Sequence, residues 1–267
     1  MRKCWLELDA DTDLGALPAG KTPCFDGDDE AGREESASLR VRLDELQQRL
    51  YAEHGRSLLV VLQAMDAGGK DGAVKRAFSG VSPQGVAVHG FKAPTPEERS
   101  HDFLWRVHQR VPEAGQIGVF VRSHYEDVVA VRARGLAPES VWRPRYAHIR
   151  DFEQLLADSG TRIVKIFLHI DRDEQKERLE ARLNEPGKQW KFDPGDLDDR
   201  RRWDDYMAAY RDAIVQTDRP HAPWFVVPAN RKWFRDLAVL RILVDALEDM
   251  DPRYPPDRFD PKAIRIE

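Results

Sequence analysis

Short apolar runs alternate with amphipathic stretches from residue 57 onward, and each run has the length of a strand. The runs lie at Leu58–Leu62, Val86–Phe91, Ile117–Val121, Ile163–Ile170 and Trp224–Val227. The stretches between them have helical spacing, and they lie at Asp71–Phe78, Pro96–Arg110, Tyr125–Arg134, Phe152–Asp158, Asp173–Leu183, Asp198–Ile214 and Trp233–Leu247. Because alternating strands and helices require crossover connections, the pattern predicts an α/β fold. We expect a parallel five-stranded sheet with helices on both faces.

The segment before the first strand divides into two parts. Residues 1–32 are rich in Asp, Gly and Pro, which predicts a surface arm that is either packed or partly disordered. From Ser36 to Tyr51, leucines recur at three- and four-residue steps, at Leu39, Leu43, Leu46 and Leu50. This stripe predicts an amphipathic helix that either packs on the core or mediates self-association. We therefore divide the chain into residues 1–56 (arm and helix), 57–255 (α/β domain) and 256–267 (tail).

One long loop interrupts the second half of the α/β domain. Residues 184–195 contain Pro186, Gly187, Pro194 and Gly195, which break any helix there. A loop of this length in a compact domain is often a lid. Lys188 and Lys191 lie in this loop, and three arginines follow it at 200–202. We predict a positively charged lid at about residues 184–205 that closes over an anion.

Composition excludes several classes of protein. The chain has 267 residues, 41% of them hydrophobic, and a net charge of −5, which argues against a protein that coats nucleic acid. No apolar run approaches the roughly 20 residues that span a bilayer, and no secretory signal is expected. The two cysteines, Cys4 and Cys24, give no disulfide framework. We prefer two unpaired thiols to one bridge, and a cytoplasmic location.

A phosphate-binding loop is predicted between the first strand and the helix after it. The standard pattern is Gly-x-x-x-x-Gly-Lys followed by Ser or Thr. Gly69 and Lys70 keep their places here, whereas Ala64 replaces the first glycine and Asp71 replaces the hydroxyl residue. The alternative is an ordinary turn with a surface lysine. A loop that enters a helix presents backbone N–H groups to phosphate, and the predicted phosphate-binding residues are Ala67, Gly68, Gly69, Lys70, Asp71, Gly72, Lys75 and Arg76.

An acid inside this loop points to chemistry rather than to simple anion binding. The carboxylate of Asp66 would repel a bound phosphate. It becomes useful if it binds a divalent cation or orients an attacking phosphate oxygen. The alternative role is an Asx-turn that stabilises the loop. We favour the metal-binding or catalytic role.

The third strand ends in a second group of polar residues. Arg122 follows Val121 directly, and ligands of open α/β sheets bind at the carboxyl ends of strands. Its planar guanidinium is suited to a phosphoryl group. Ser123 and Glu126 have the spacing of a helix capping box, and they fit a cap and a site equally well. We expect His124 to be packed or solvated rather than a base.

Several separate segments resemble the family-2 polyphosphate kinases. The matching stretches are Met-Asp-Ala-Gly-Gly-Lys-Asp-Gly at 65–72, Phe-Lys-Ala-Pro-Thr at 91–95 and Arg-Ser-His-Tyr-Glu-Asp at 122–127. Further matches are Trp-Lys-Phe at 190–192, Arg-Trp-Asp-Asp-Tyr at 202–206 and Ala-Pro-Trp at 222–224. The resemblance covers roughly residues 36–250. It implies a P-loop kinase-like three-layer sandwich with a central parallel five-stranded sheet and a helical lid.

The resemblance implies transfer of phosphoryl groups between inorganic polyphosphate and adenine nucleotides (AMP, ADP and ATP). Mg²⁺ would assist, with Mn²⁺ as a substitute. By likeness, Asp66 would bind the metal and activate the acceptor, while Lys70 and Arg122 would hold the transferring group. The expected polyphosphate path is Arg178, Arg182, Lys188, Lys191 and Arg200, and the expected nucleotide-binding residues are Lys92, Glu126 and Asp127.

The resemblance also implies a cytoplasmic homo-oligomer, a dimer or a tetramer, from the subgroup that accepts both AMP and ADP. In one respect the sequence departs from it. Many relatives carry an acid or a polar residue before the arginine of the third strand, where this chain has Val121. The metal would then depend on Asp66, phosphate oxygens and water. Two alternatives stay open: an ATP-dependent nucleoside monophosphate kinase, and a non-catalytic phosphate- or nucleic-acid-binding module.

Overall fold

Five parallel strands form the centre of the protein in a computed structural model that describes residues 8–257, 259 and 264–266. Their order across the sheet is β2-β3-β1-β4-β5. The predicted five-stranded parallel sheet is therefore confirmed, and each predicted strand lies within one or two residues of its observed position. The strands are β1 (Ser57–Gln63), β2 (Val86–Gly90), β3 (Ile117–Val121), β4 (Thr161–His169) and β5 (Trp224–Pro228).

The register of the strands brings the predicted site together. β1 lies between β3 and β4, and Leu62 pairs with both Val121 and Ile166. All seven residues of β1 are buried, which is typical of a central parallel strand covered on both faces. Because β1 and β3 end side by side, the loop that contains Asp66 and the residue Arg122 meet at one edge of the sheet.

Helices pack on both faces of the sheet and complete a three-layer α/β sandwich. Residues 14–16, 83–85, 124–127 and 189–191 form 3₁₀ turns. The α-helices are α1 (Asp29–Glu53), α2 (Lys70–Ala77), α3 (Pro96–Ser100), α4 (Trp105–His108), α5 (Ala130–Ala133), α6 (Glu139–Trp142), α7 (Arg145–Asp158), α8 (Arg172–Asn184), α9 (Gly195–Arg201), α10 (Trp203–Thr217) and α11 (Lys232–Met250).

Three predicted helices are broken in the structure. The stretch from Pro96 to Arg110 forms α3 and α4, because the backbone at His101 is extended and the Asp102 side chain accepts the backbone N–H of Leu104 at 2.9 Å. The stretch from 125 to 134 divides into a 3₁₀ turn and α5, and the stretch from 198 to 214 divides into α9 and α10 at Arg202. Residue periodicity did not reveal these breaks, since apolar residues continue across each of them.

The leucine stripe of α1 packs on the core of its own chain. Leu43, Leu46 and Leu50 are fully buried, and α1 lies along α11. The helix begins seven residues before its predicted start, because the Asp28 side chain accepts the backbone N–H of Ala31 at 3.0 Å and caps it. Of the two predicted roles for the stripe, packing on the core is confirmed, and self-association stays a prediction.

The described part of the N-terminal arm is packed rather than disordered. Leu14 is buried, and the carbonyl of Leu17 accepts a hydrogen bond from His169 Nε2 at 2.9 Å. Residues 1–7, including Cys4, lie outside the described residues. Cys24 takes part in a disulfide, so the preference for unpaired thiols is wrong at that position.

Candidate active site

A cleft of about 600 Å³ lies at the carboxyl ends of β1, β2 and β3, between the loop before α2 and the lid. It gathers most of the residues that the sequence predicts for phosphate and nucleotide binding. The predicted residues that line it are Asp66, Ala67, Gly68, Gly69, Lys70, Asp71, Gly72, Lys92, Arg122, Arg178, Arg182, Lys188 and Lys191.

The carbonyl groups of the phosphate loop are held from inside the protein. Lys70 Nζ donates to the carbonyls of Ala64 and Met65, at 2.7 and 3.3 Å. Tyr210 Oη also donates to the Ala64 carbonyl, at 3.1 Å, and Arg178 Nη1 donates to the Ala67 carbonyl at 3.1 Å. Because the lysine, the tyrosine and the arginine are all buried, the backbone of the loop is fixed before any substrate binds.

Two residues that line the cleft have a strained backbone. Ala67 and Arg122 have φ angles of 59° and 61°, in the left-handed region that non-glycine residues seldom occupy. Such conformations cost on the order of 1 kcal/mol each and cluster at functional sites. Gly69 has a φ of 99°, and a Cβ atom there would lie 2.2 Å from Arg235 Nη1. A side chain at position 69 would therefore be strained by the backbone angle, and it would also displace the guanidinium of Arg235.

The two residues at the strand ends form an ion pair across the cleft. Arg122 Nη2 donates to Asp66 Oδ1 at 2.9 Å. Burial alone would raise the pKa of Asp66, but the charges of Lys70 and Arg122 lower it overall. Burial alone would lower the pKa of Arg122, but Asp66 and Glu126 raise it overall. Both groups are therefore charged at neutral pH.

The pKa values of two further charged groups, Lys70 and Glu126, are shifted toward neutral pH. Burial lowers the pKa of Lys70, although the charge of Asp66 opposes this shift. Burial raises the pKa of Glu126 against the opposing charges of Arg122 and Lys70. Charged side chains in this part of the protein have lost water without gaining full compensation, which is a mark of functional sites.

The structure separates the roles of Ser123 and Glu126. Ser123 Oγ accepts the backbone N–H of Tyr125 at 3.2 Å and caps the 3₁₀ turn. The side chain of Glu126 lies instead beside Gln63. With its amide oriented to suit its neighbours, Gln63 donates to Glu126 Oε1 at 3.0 Å and accepts from Ser123. Gln63 is a buried residue that sequence reasoning missed.

Five predicted site residues do not line the cleft, and their roles stay predictions. Lys75 and Arg76 are exposed on α2. Glu126 lies beside Gln63. Asp127 faces Arg106 and Arg145, at 3.6 and 3.5 Å. Arg200 donates to the Arg172 carbonyl at 2.5 Å and to Gln175 Oε1 at 3.1 Å.

Arg178 and Arg182 extend from α8 along the wall of the cleft. Arg178 contacts Glu174 at 2.6 Å and the Ala229 carbonyl at 2.7 Å, in addition to Ala67 in the phosphate loop. It therefore ties the phosphate loop to the end of β5. Arg182 Nη1 donates to Asp196 Oδ2 at 2.9 Å in α9. Burial and the charge of Asp66 raise the pKa of Asp196 to about 6, although Arg182 opposes this shift.

The charged side chains at the tip of the lid are exposed to solvent. Lys188 pairs with Glu185 at 2.6 Å, and both side chains are half exposed. Lys191 Nζ lies 5.1 Å from the centre of the Trp190 ring, and Trp190 is 79% exposed at the mouth of the cleft. Both lysines can therefore turn toward an anion at low cost. This tip contrasts with the phosphate loop, whose groups are fixed.

Sequence reasoning missed several residues of the cleft. Asp193, Asp196 and Trp190 lie in the predicted lid, so their segment was identified but their part in the cleft was not. Lys232 and the buried Arg235 come from the start of α11, far from the loop in sequence. No local pattern links them to the phosphate loop, since only the packing of α11 against α2 brings them there.

Comparison with known proteins agrees with this geometry. A family described as "Polyphosphate kinase 2 (PPK2)" matches residues 26–255. An AMP/ADP-polyphosphate phosphotransferase of Meiothermus ruber is 49% identical over 267 residues, which is 100% of both chains. An ADP-polyphosphate phosphotransferase of Rhodopseudomonas palustris is 43% identical over 91% of this chain and 88% of its own.

A solved structure gives the same result in three dimensions. The crystal structure of polyphosphate kinase 2 from Arthrobacter aurescens TC1 superimposes with a TM-score of 0.93 and 45% identity. The match covers 98% of this chain and 93% of the other. The resemblance in the scattered motifs is thereby confirmed over nearly the whole fold, and the chain belongs to the polyphosphate kinase 2 family.

Proposed function

We propose that this protein transfers phosphoryl groups between inorganic polyphosphate and AMP or ADP, with ADP and ATP as the products. One observation carries the proposal: Asp66, Lys70 and Arg122 line the same cleft as the lysines of the lid. The relatives named as AMP/ADP-polyphosphate and ADP-polyphosphate phosphotransferases support this substrate pair. Their names give no support to the alternative of an ATP-dependent nucleoside monophosphate kinase.

The residues of the cleft suit a reaction whose main demand is charge neutralisation. A phosphoryl group in transfer spreads negative charge over its three equatorial oxygens. Lys70 and Arg122 supply positive charge at the end of the phosphate loop, and Arg122 is already oriented by Asp66. Lys188, Lys191 and Lys232 line the outer part of the cleft, where the rest of a long polyanion would lie.

Magnesium fits the cleft as an ion with few protein ligands. Among the residues that the structure describes, no group of three or more His, Cys, Asp or Glu side chains is arranged around a metal. Mg²⁺ keeps several waters and is often bound by one or two carboxylates together with substrate phosphates. The lowered pKa of Asp66 keeps that carboxylate ionised for this role. Mg²⁺ would offset the charge of the phosphate oxygens, and Mn²⁺ would be the substitute.

Acceptor choice depends on groups around the end of β3. Val121 lines the cleft beside Arg122 and offers an apolar wall where a carboxylate or polar group would offer a ligand. Lys92, which follows β2, also lines the cleft, while Glu126 lies beside Gln63. We propose that AMP and ADP both bind here, with Lys92 near the nucleotide phosphates.

The test combines each acceptor with each donor. The purified protein is incubated with Mg²⁺ and either AMP or ADP, and with polyphosphate or ATP as donor, and the nucleotides are separated by chromatography. New ADP from AMP and new ATP from ADP are expected with polyphosphate. Transfer only from ATP to AMP would support the nucleoside monophosphate kinase instead. No transfer from either donor would favour a binding module.

The remaining sequence predictions concern assembly and location. In the part of the chain that the structure describes, no helix is both long and apolar enough to cross a bilayer. A cytoplasmic location and a dimer or tetramer stay proposals that follow from the family resemblance.

A further inference from the structure

The lid helix α9 lines the catalytic cleft and also a second cavity. Asp196 lines the catalytic cleft, whereas Asp198 and Asp199 line a cavity of about 610 Å³. Asp199 is buried, with 4% of its surface exposed. Its neighbour Asp198 is 65% exposed and pairs with the exposed Arg201. A buried carboxylate in a short lid helix requires a specific partner.

That partner is Arg134, which follows α5 and lies 65 residues away in sequence. Arg134 Nε donates to Asp199 Oδ1 at 2.8 Å, and Arg134 Nη2 donates to Asp199 Oδ2. Nε also lies 3.0 Å from Tyr206 Oη in α10. A two-point contact between guanidinium and carboxylate fixes direction as well as distance. The pair therefore anchors α9 against the segment that follows β3.

The same helix also contributes to the catalytic cleft. Asp196, three residues before Asp199, lines the cleft together with Asp66 and Arg122. Its Oδ2 accepts from Arg182 Nη1 at 2.9 Å, so two acids of α9 are each held by an arginine of another segment. The contact between Arg134 and Asp199 therefore fixes the helix that brings Asp196 to the cleft.

We propose that Asp199, held by Arg134, is a positioning residue that docks the lid helix onto the segment after β3 and so keeps the lid over the phosphate loop. Without the Arg134 contact, the buried carboxylate of Asp199 would have lost its partner, and α9 would leave its docked position. The lid would then spend less time closed, and Asp196 would lose its fixed place in the cleft. This inference rests on the proposed function where it concerns catalysis, but the docking of α9 can be measured without any substrate.

The first measurement is limited proteolysis with trypsin, with mass spectrometry to identify cleavage after Lys188 and Lys191. In the Asp199→Ala variant, cleavage at these two lysines should be about 10-fold faster than in the wild type, because the lid is undocked. The matched control is Asp198→Ala, on the same helix but exposed, which should be cleaved at the wild-type rate. Equal rates for all three proteins would overturn the proposal.

The second measurement separates kcat from KM. Asp199→Ala should lower kcat by about 10- to 100-fold, as expected when a reacting geometry is displaced by about 1 Å. The KM for polyphosphate should change less than about 3-fold, since none of the lid lysines is altered. Asp198→Ala should leave both constants unchanged. An equal loss of kcat in both variants, or a change in KM without a change in kcat, would contradict positioning by Asp199.

A second variant keeps the proposal testable if Asp199→Ala folds poorly. Arg134 is 46% exposed, so Arg134→Gln should fold, and it should reproduce both the faster cleavage and the lower kcat. The double variant should lose about as much as either single variant, because the two residues act as a unit. Additive losses would show that Asp199 does not act through Arg134. If the wild type transferred no phosphoryl group, the proteolysis would still decide the docking of α9.

Discussion

The positive charges of two buried lysines, Lys70 and Lys165, are compensated in different ways. Lys165, in the middle of β4, is completely buried and donates to Glu153 Oε2 at 2.6 Å. It also donates to Tyr125 Oη and to the Thr217 carbonyl, both at 2.9 Å. Lys70, in the phosphate loop, makes its two hydrogen bonds to neutral carbonyl oxygens of the loop itself.

The surroundings of Lys165 complete a satisfied network. Tyr125 Oη also lies 2.8 Å from Glu153 Oε1, and Trp224 Nε1 donates to Thr217 Oγ1 at 2.9 Å. His124 is buried beside them, with Nε2 3.4 Å from Glu153. This agrees with a packed histidine rather than a base. The network links β4, α7, α10 and the turn after β3, so its role is structural.

The comparison shows how a buried charge can be assigned to folding or to function. A lysine that already has a carboxylate within hydrogen-bond distance gains little from a further anion. A lysine that is held only by carbonyl groups retains its attraction for phosphate, and its burial costs stability that a ligand recovers. Substitutions in the cleft should therefore lower activity and spare stability, whereas substitutions in the network should do the reverse.

The largest effect is expected for Lys70→Met. Removal of this charge from a water-poor site should lower phosphoryl transfer by about 10³-fold or more. The melting temperature should stay the same or rise, since burial already opposes the charged form of this lysine. Steady-state kinetics and thermal unfolding of the same preparation check both. A large loss of stability would show that Lys70 is mainly a structural residue of the loop.

The next effect is expected for Glu153→Gln, and it concerns stability. This change leaves Lys165 buried without its counter-charge, and unfolding free energy should fall by about 3–5 kcal/mol in urea titrations. The double change Lys165→Met with Glu153→Leu should recover most of the loss. The control is Glu139→Gln, in the exposed pair with Arg143, which should cost less than about 0.5 kcal/mol. Activity per folded molecule should stay unchanged. A loss of activity would show that the network also takes part in catalysis.

The same two lysines show what the sequence could and could not predict. Lys70 was predicted because its setting is local: an apolar strand, a small-residue loop and a helix within 20 residues. Lys165 lies inside a run that reads as an apolar strand, and its partners on α7 and α10 become visible only after folding. The strands were predicted well for the same reason that the phosphate loop was, since each is encoded in a few consecutive residues.

The contacts that complete the cleft depend on long-range packing. Asp199 meets Arg134 across 65 residues, and Arg178 meets Ala67 across 111. Arg235 reaches Gly69 from the last helix. The short breaks in the predicted helices have the same origin, because local capping contacts and turns compete with a periodicity that continues through them. Sequence patterns therefore located the phosphate loop and the lid, but not the side chains that fix one against the other.

A third test uses the pKa of Asp196, the lid acid in the cleft. Its folded pKa of about 6 lies above the ordinary value of 3.8. The folded state therefore binds the proton more tightly, and stability is lost as pH rises from about 4 to about 6. Asp196→Asn should remove this loss and raise the unfolding free energy at pH 7.5 by at most about 3 kcal/mol.

The gain from Asp196→Asn should disappear near pH 4, where the wild-type carboxyl is also neutral. Urea titrations of both proteins at pH 4 and pH 7.5 test this difference. The control is Asp198→Asn, an exposed acid on the same helix that does not line the cleft, and its unfolding free energy should match that of the wild type at both pH values. An equal gain at both values would mean that burial of the Asp196 charge is not what limits stability in the cleft.

The smallest effect concerns the exposed lysines, and it separates the tip of the lid from α2. Lys188→Ala and Lys191→Ala should each weaken the apparent affinity for polyphosphate a few-fold, because each lines the cleft at its open side. Each should also lower the slope of log affinity against log salt by about 0.7, the value for one contact with a flexible polyanion. Lys75→Ala is the matched comparison, since Lys75 is equally exposed but does not line the cleft. If its slope falls as well, the polyphosphate chain extends over α2 and the sequence hypothesis for Lys75 is correct; if it does not, the bound chain stays between the phosphate loop and the lid.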